Sequence, residues 1–368
     1  MYETVAHGEG MRCVRVLLHG KLSYPVGSGR LALGTELLPL LPSNDIFYDP
    51  PKLRYRLDQD GYLYFKNIVP REVVNAALDD LANQMRECGF TLDEDRARQA
   101  ELNGFAMGVP YPSTSGGELP LPNIHHTDTI RTAVSGTSVM ATIRQVFGGA
   151  VKATTLQTLH LGAPGESFGF RMPSVFLNRG TKLALVATVP LHDTPLHMGT
   201  PLLVRSSNSH DTYAPLRKTY GQWEVESDVI RGDGCYTENP AELSPLGKLP
   251  GIDETTGASI IVDVNPFVSS AVEAGDLLLT TVYTMQTFLT NQTNCWRLMA
   301  EAVWCMEGDD IGLDPRYMGN DAPGLAAWAQ RCDDPTVYPK SLMEAKKEWG
   351  LVPDIATLTS DETKTSST

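Results

Sequence analysis

Lys182-Leu-Ala-Leu-Val-Ala-Thr-Val189 is short, aliphatic and rich in β-branched residues, and Pro190 follows it. A run of that length and composition reads as a largely buried strand, not as a helix turn. It has companions on both sides: Val151–Leu161, Pro201–Val204, Ala258–Val264, Asp276–Tyr283 and Trp296–Cys305 are similar runs separated by turn residues. Upstream the period changes. Pro70 to Cys88 places Val73, Val74, Ala77, Leu78, Leu81 and Met85 on one helical face, with Gly89 as the stop. Thr137 to Phe147 does the same with Val139, Met140, Ile143, Val146 and Phe147 before Gly148-Gly149. Helices first and then a series of strands predict an α+β chain built around a β-sandwich or jelly roll.

Outward from that core, residues 1–56 read as an irregular leader punctuated by Gly and Pro, and residues 212–257 as an insertion between strands. The segment 307–356 is expected to carry two short helices, and 357–368 to be a disordered tail.

The chain has 368 residues, 42% hydrophobic and 20% charged, which is an ordinary globular composition with enough length for a large core. Thirty basic against 44 acidic side chains give a net charge of −14. An acidic surface repels phosphates, so neither nucleic acid nor an anionic membrane is an expected partner. No run approaches the ~18 apolar residues of a membrane span. The first residues lack a basic head followed by an apolar block, so a cytoplasmic location is expected. The six cysteines include no CxxC pair and read as buried thiols. No P-loop, nucleophile elbow or dinucleotide fingerprint is present.

Three islands carry a resemblance: Leu57-Asp-Gln-Asp-Gly-Tyr-Leu-Tyr-Phe-Lys-Asn-Ile-Val-Pro-Arg-Glu72, Gly199-Thr-Pro-Leu-Leu-Val-Arg-Ser-Ser-Asn-Ser-His210, and Glu273-Ala-Gly-Asp-Leu-Leu-Leu279 followed by Asn291 and Arg297. Together the sequence over residues 57–306 resembles the phytanoyl-CoA dioxygenase (PhyH)-like family of Fe(II)/2-oxoglutarate oxygenases, in its fungal meroterpenoid branch. The resemblance implies a double-stranded β-helix core flanked by helices. It also implies a His-x-Asp pair and a distal His on the iron, with an Arg on the 2-oxoglutarate carboxylate.

Aligned on that pattern, Phe170 stands at the first His, Met172 at the Asp and Gln286 at the distal His, while Arg297 keeps the carboxylate-binding place. A phenyl ring, a thioether and a carboxamide make no ferrous site. The resemblance then implies a degenerate member that binds no cofactor and shows no turnover on its own. It would serve as the metal-free half of a heterodimer whose PhyH-like paralogue holds Fe(II) and 2-oxoglutarate. The leader and the insertion, with Tyr24, Phe47, Tyr48, Tyr220, Trp223 and Tyr236, are the expected contact surface.

Two alternatives stay open. One is a cofactor-independent isomerase or cyclase using Tyr283, Gln286, Arg171 and His160. The other is an active dioxygenase with relocated ligands, His126 and Asp128. His192, Asp193 and His197 read as a solvated turn.

Overall fold

The computed structural model describes residues 22–87, 109–110, 127–227, 229–243, 248–252, 259–263, 266–319 and 322–352. The leader is more regular than its glycines and prolines suggest. β1 (Ser23–Val26) and β2 (Gly29–Ala32) form a hairpin, followed by β3 (Leu37–Leu38). α1 (Pro50–Asp60) starts with two prolines, is capped by the Asp49 carboxylate accepting from the Lys52 N–H, and ends on left-handed Gly61. Only Leu53 of this helix is buried, so its sequence lacks the apolar period that reveals a helix. β4 (Tyr62–Phe65) follows. α2 (Arg71–Glu87) and, after β5 (Val109–Pro110), α3 (Asp128–Ser135) and α4 (Thr137–Phe147) supply the helical layer.

The strands then run β6 (Val151–Ala153), β7 (Thr158–Gly162), β8 (Leu185–Pro190), β9 (Pro201–Val204), β10 (Ile230–Arg231), β11 (Lys248–Ile252), β12 (Ser259–Asp263), β13 (Phe267–Val268), β14 (Leu277–Thr281), β15 (Gln286–Phe288), β16 (Cys295–Met306) and β17 (Lys340–Ser341). The expected run 258–264 is half of a local hairpin, β11–β12, and stands apart from the two main sheets. β10 and β17 pair in parallel.

The large sheet has the order β4-β14-β8-β16, with β5, β6 and β7 also on β16. The small sheet has the order β15-β9-β13-β3. Between β7 and β8, Arg171 joins the small sheet, exchanging both backbone hydrogen bonds with Gln286 at 2.9 Å, while Phe170 bridges Thr237 of the insertion. Eight consecutive legs therefore visit the large and small sheets as large, small, large, small, small, large, small, large. That winding is a double-stranded β-helix, and the fold is α+β with this jelly roll at its centre.

Two apolar layers clothe the sheets. The outer face of the large sheet packs on α1 to α4 through Leu53, Val74, Leu81, Ile130, Ile143, Leu298 and Trp304. The outer face of the small sheet is covered by the β1–β2 hairpin, the insertion and the C-terminal helix (Leu342–Glu348). Tyr24, Tyr213, Tyr220, Trp223 and Tyr236 are all buried there. The expectation that the insertion's aromatic residues form a docking surface is thus corrected: Tyr220, Trp223 and Tyr236 are this chain's own core. Burying large rings of that kind is a principal source of folding free energy.

Candidate functional site

β16 shows how the site is built. In a strand, alternate side chains face opposite ways. Trp296, Leu298, Ala300, Ala302 and Trp304 face the helices, so Arg297, Met299, Glu301 and Val303 face between the sheets. On β7, Leu159 and Leu161 face the helices and His160 the interior. The interior encloses a cavity of about 540 Å³, lined by His160, Glu301, Arg171 and Gln286 among apolar walls that include Leu156, Phe176 and Val303. The segment from Ala322 to Ala329, with Trp328, forms one wall.

The cavity's polar groups are mostly tied to one another. His160 Nε2 lies 3.0 Å from Glu301 Oε2, and the Thr188 hydroxyl donates to the same oxygen at 3.3 Å. The Gln286 carboxamide oxygen accepts from the Thr280 hydroxyl at 3.2 Å. Arg171 is held chiefly by aromatic faces, its guanidinium carbon 5.8 Å from the Phe168 ring centre and 5.9 Å from that of Phe176.

The positions expected to be vestigial ligands are divided by this geometry. Gln286 lines the cavity. Phe170 and Met172 are fully buried on the outer face of the small sheet, beside Phe267, Tyr220 and Tyr236. The residues of that stretch that reach the cavity are Arg171 and Pro173, neither of which carries a lone pair for a metal. Arg297 faces inward but is completely buried away from the cavity. Its Nη1 donates to the Gly199 carbonyl at 3.1 Å, its guanidinium carbon lies 3.8 Å from the Phe288 ring centre, and Nε and Nη2 have no partner. Burial pushes its pKa down to about 9, against the pull of Glu166.

Among the other expected residues, His126 lies outside the described residues. Asp128 opens α3 and bonds Arg131 at 2.7 Å on the surface. The Tyr283 hydroxyl accepts from the exposed Gln222 amide at 2.9 Å and does not line the cavity.

The solvated-turn expectation for His192 is corrected. His192 is buried; its Nε2 accepts from the Leu298 N–H at 3.0 Å, which leaves Nδ1 to donate to the Asp193 carbonyl at 2.9 Å. Burial pushes its pKa down. Asp193 is surface-exposed, forms a fork with Arg71 at 2.6 and 3.1 Å, and is held below the usual carboxylate range by that guanidinium. The residue that sequence reasoning missed is Glu301. Its signal was its parity: one acid in an apolar strand, on the same face as Arg297.

Ferrous iron in a 2-His-1-carboxylate site needs three such groups on one face. The cavity offers one imidazole and one carboxylate, already hydrogen-bonded to each other. No group of three His, Cys, Asp or Glu able to hold a metal occurs among the described residues. The described residues do not fit a ferrous site.

No protein-family model matches the sequence, and no curated protein matches it. Solved structures do. EctD from S. alaskensis is similar at 13% identity, over 87% of this chain and 94% of that one, with a TM-score of 0.43. The non-heme, α-ketoglutarate-dependent epimerase SnoN of nogalamycin biosynthesis is similar at 14% identity, over 70% of this chain and 82% of that one, with a TM-score of 0.37. The carbocyclase SnoK of the same biosynthesis is similar at 14% identity, over 72% and 83% of the two chains, with a TM-score of 0.38.

Proposed function

We propose that this chain is a metal-free, PhyH-like subunit that pairs with an iron-bearing paralogue, forming a heterodimeric Fe(II)/2-oxoglutarate oxygenase of fungal meroterpenoid biosynthesis. In this reading the paralogue performs the oxidation and this chain supplies structure.

One observation carries it. Where the segment from Phe170 to Pro173 and β15 line the cavity, the side chains are Arg171, Pro173 and Gln286. A guanidinium, an aliphatic ring and a neutral amide cannot compensate a buried dication. An oxygenase fold kept with its core intact but without a three-donor face, its one imidazole and one carboxylate bonded to each other, suits a duplicated subunit that has passed the chemistry to its partner. Among the described residues, the large aromatic side chains that stand in solvent are Tyr48 and Tyr55, at 88% and 69% exposure, just before and on α1. They support a contact surface on that helix in place of the insertion.

The test is co-expression with a ligand-bearing paralogue, followed by size-exclusion chromatography and an oxidation assay. Co-elution, with oxidation that this chain does not give alone, supports the reading. Separate elution, or 2-oxoglutarate turnover by the isolated chain, refutes it.

A further inference from the structure

The cavity presents one guanidinium whose terminal nitrogens make no hydrogen bond within the described residues, set in an apolar wall, and that pairing points to a ligand. Arg171 lines it; its Nε donates to the Gly169 carbonyl at 3.4 Å and its Nη2 makes a long, 4.0 Å ion pair with the exposed Asp233, while neither terminal nitrogen makes a hydrogen bond within the described residues. Gln157 Oε1 and Trp328 Nε1 have no partner among the described residues, but both atoms are shut off behind the wall and do not face the cavity. The lining carboxylate does not quench the arginine: Glu301 is occupied by His160 and Thr188. Leu156, Phe176, Leu177 and Val303 make the rest of the wall apolar. A volume of about 540 Å³ lies within the range of roughly 300–1,000 Å³ typical of small-molecule sites.

We propose that this cavity is a binding site of the chain's own for an apolar organic acid, with the carboxylate on Arg171 and the hydrocarbon body against the apolar wall. An Arg fork matches the two oxygens of a carboxylate. The site goes beyond the pairing reading: it requires neither iron nor a partner, and it is tested on the isolated chain.

The experiment titrates the full chain with 1-pyrenebutyrate and, separately, with its uncharged methyl ester, by isothermal calorimetry. The acid is expected to bind saturably, one per chain, and at least tenfold more tightly than the ester. Arg171→Met should remove that preference, leaving acid and ester equal, and Arg171→Lys should restore part of it. Unchanged circular dichroism of the variants shows that they fold. Equal affinity of acid and ester for the wild-type chain overturns the proposal, as does undiminished acid binding by Arg171→Met or the absence of saturable binding. None of these outcomes bears on co-elution with a paralogue, so this proposal and the pairing reading fail separately.

Discussion

Single side chains decide more here than their number suggests. His192 is a neutral imidazole with both nitrogens engaged, one of them by the backbone of β16. Burial lowers its pKa below the ordinary value of about 6.5. The unfolded chain then takes up a proton that the folded chain refuses, so this contribution to stability is full above pH ~6.5 and is lost as the pH falls below it. Thermal midpoints of the wild type should therefore fall more steeply from about pH 6.5 toward pH 5 than those of His192→Gln, which keeps an acceptor and a donor but does not titrate. Superimposable profiles would contradict this assignment. Gly162 is a second such residue. A methyl group on its Cα would lie 2.5 Å from the Arg297 guanidinium carbon, and Arg297 is walled in by Phe288 and Gly199. Gly162→Ala should cost about 1–3 kcal/mol in a urea titration, as overpacking does. At this scale the sequence was least legible. Aligning on residue types placed Phe170 and Met172 at a site, whereas strand parity turns them outward and brings Arg171 in. A short histidine-rich stretch looked like a solvated turn because nothing local reveals that Thr194 pairs with Val272 and draws His192 beneath β16.

At the level of elements the reading was better founded. α2 and α4 lie within a residue or so of their expected bounds, because both bury one regular apolar stripe. β8, β9, β14 and β16 were each visible as aliphatic runs. α1 was not, since its caps and prolines, and not an apolar face, define it. β16 is the element on which both sides of the sheet depend. Its outward Trp304 is 1% exposed, so Trp304→Ala should cost about 3–5 kcal/mol of unfolding free energy. Met306→Ala, at the exposed end of the same strand, should change stability by less than about 0.5 kcal/mol. Equal effects in denaturant titrations would mean that the two faces of β16 are not as described.

Across the whole molecule, the order of helices and strands narrows the fold to a β-sandwich or a jelly roll, and the family resemblance selects the jelly roll; neither says which aromatic residues face solvent. Long-range packing settles that: the insertion folds over the small sheet, and Tyr48 and Tyr55 are left outside. If α1 is the contact surface for a paralogue, Tyr48→Glu with Tyr55→Glu should abolish co-elution while leaving the thermal midpoint of the isolated chain within about a degree, since exposed substitutions rarely alter stability. Retained co-elution would move the contact elsewhere. The proposed subunit holds no iron of its own. The most direct measurement is the iron retained by the isolated chain after anaerobic loading with Fe(II) and 2-oxoglutarate and desalting, read by plasma mass spectrometry. The account predicts iron no higher than in a protein-free blank, and stoichiometric iron on the chain would contradict it.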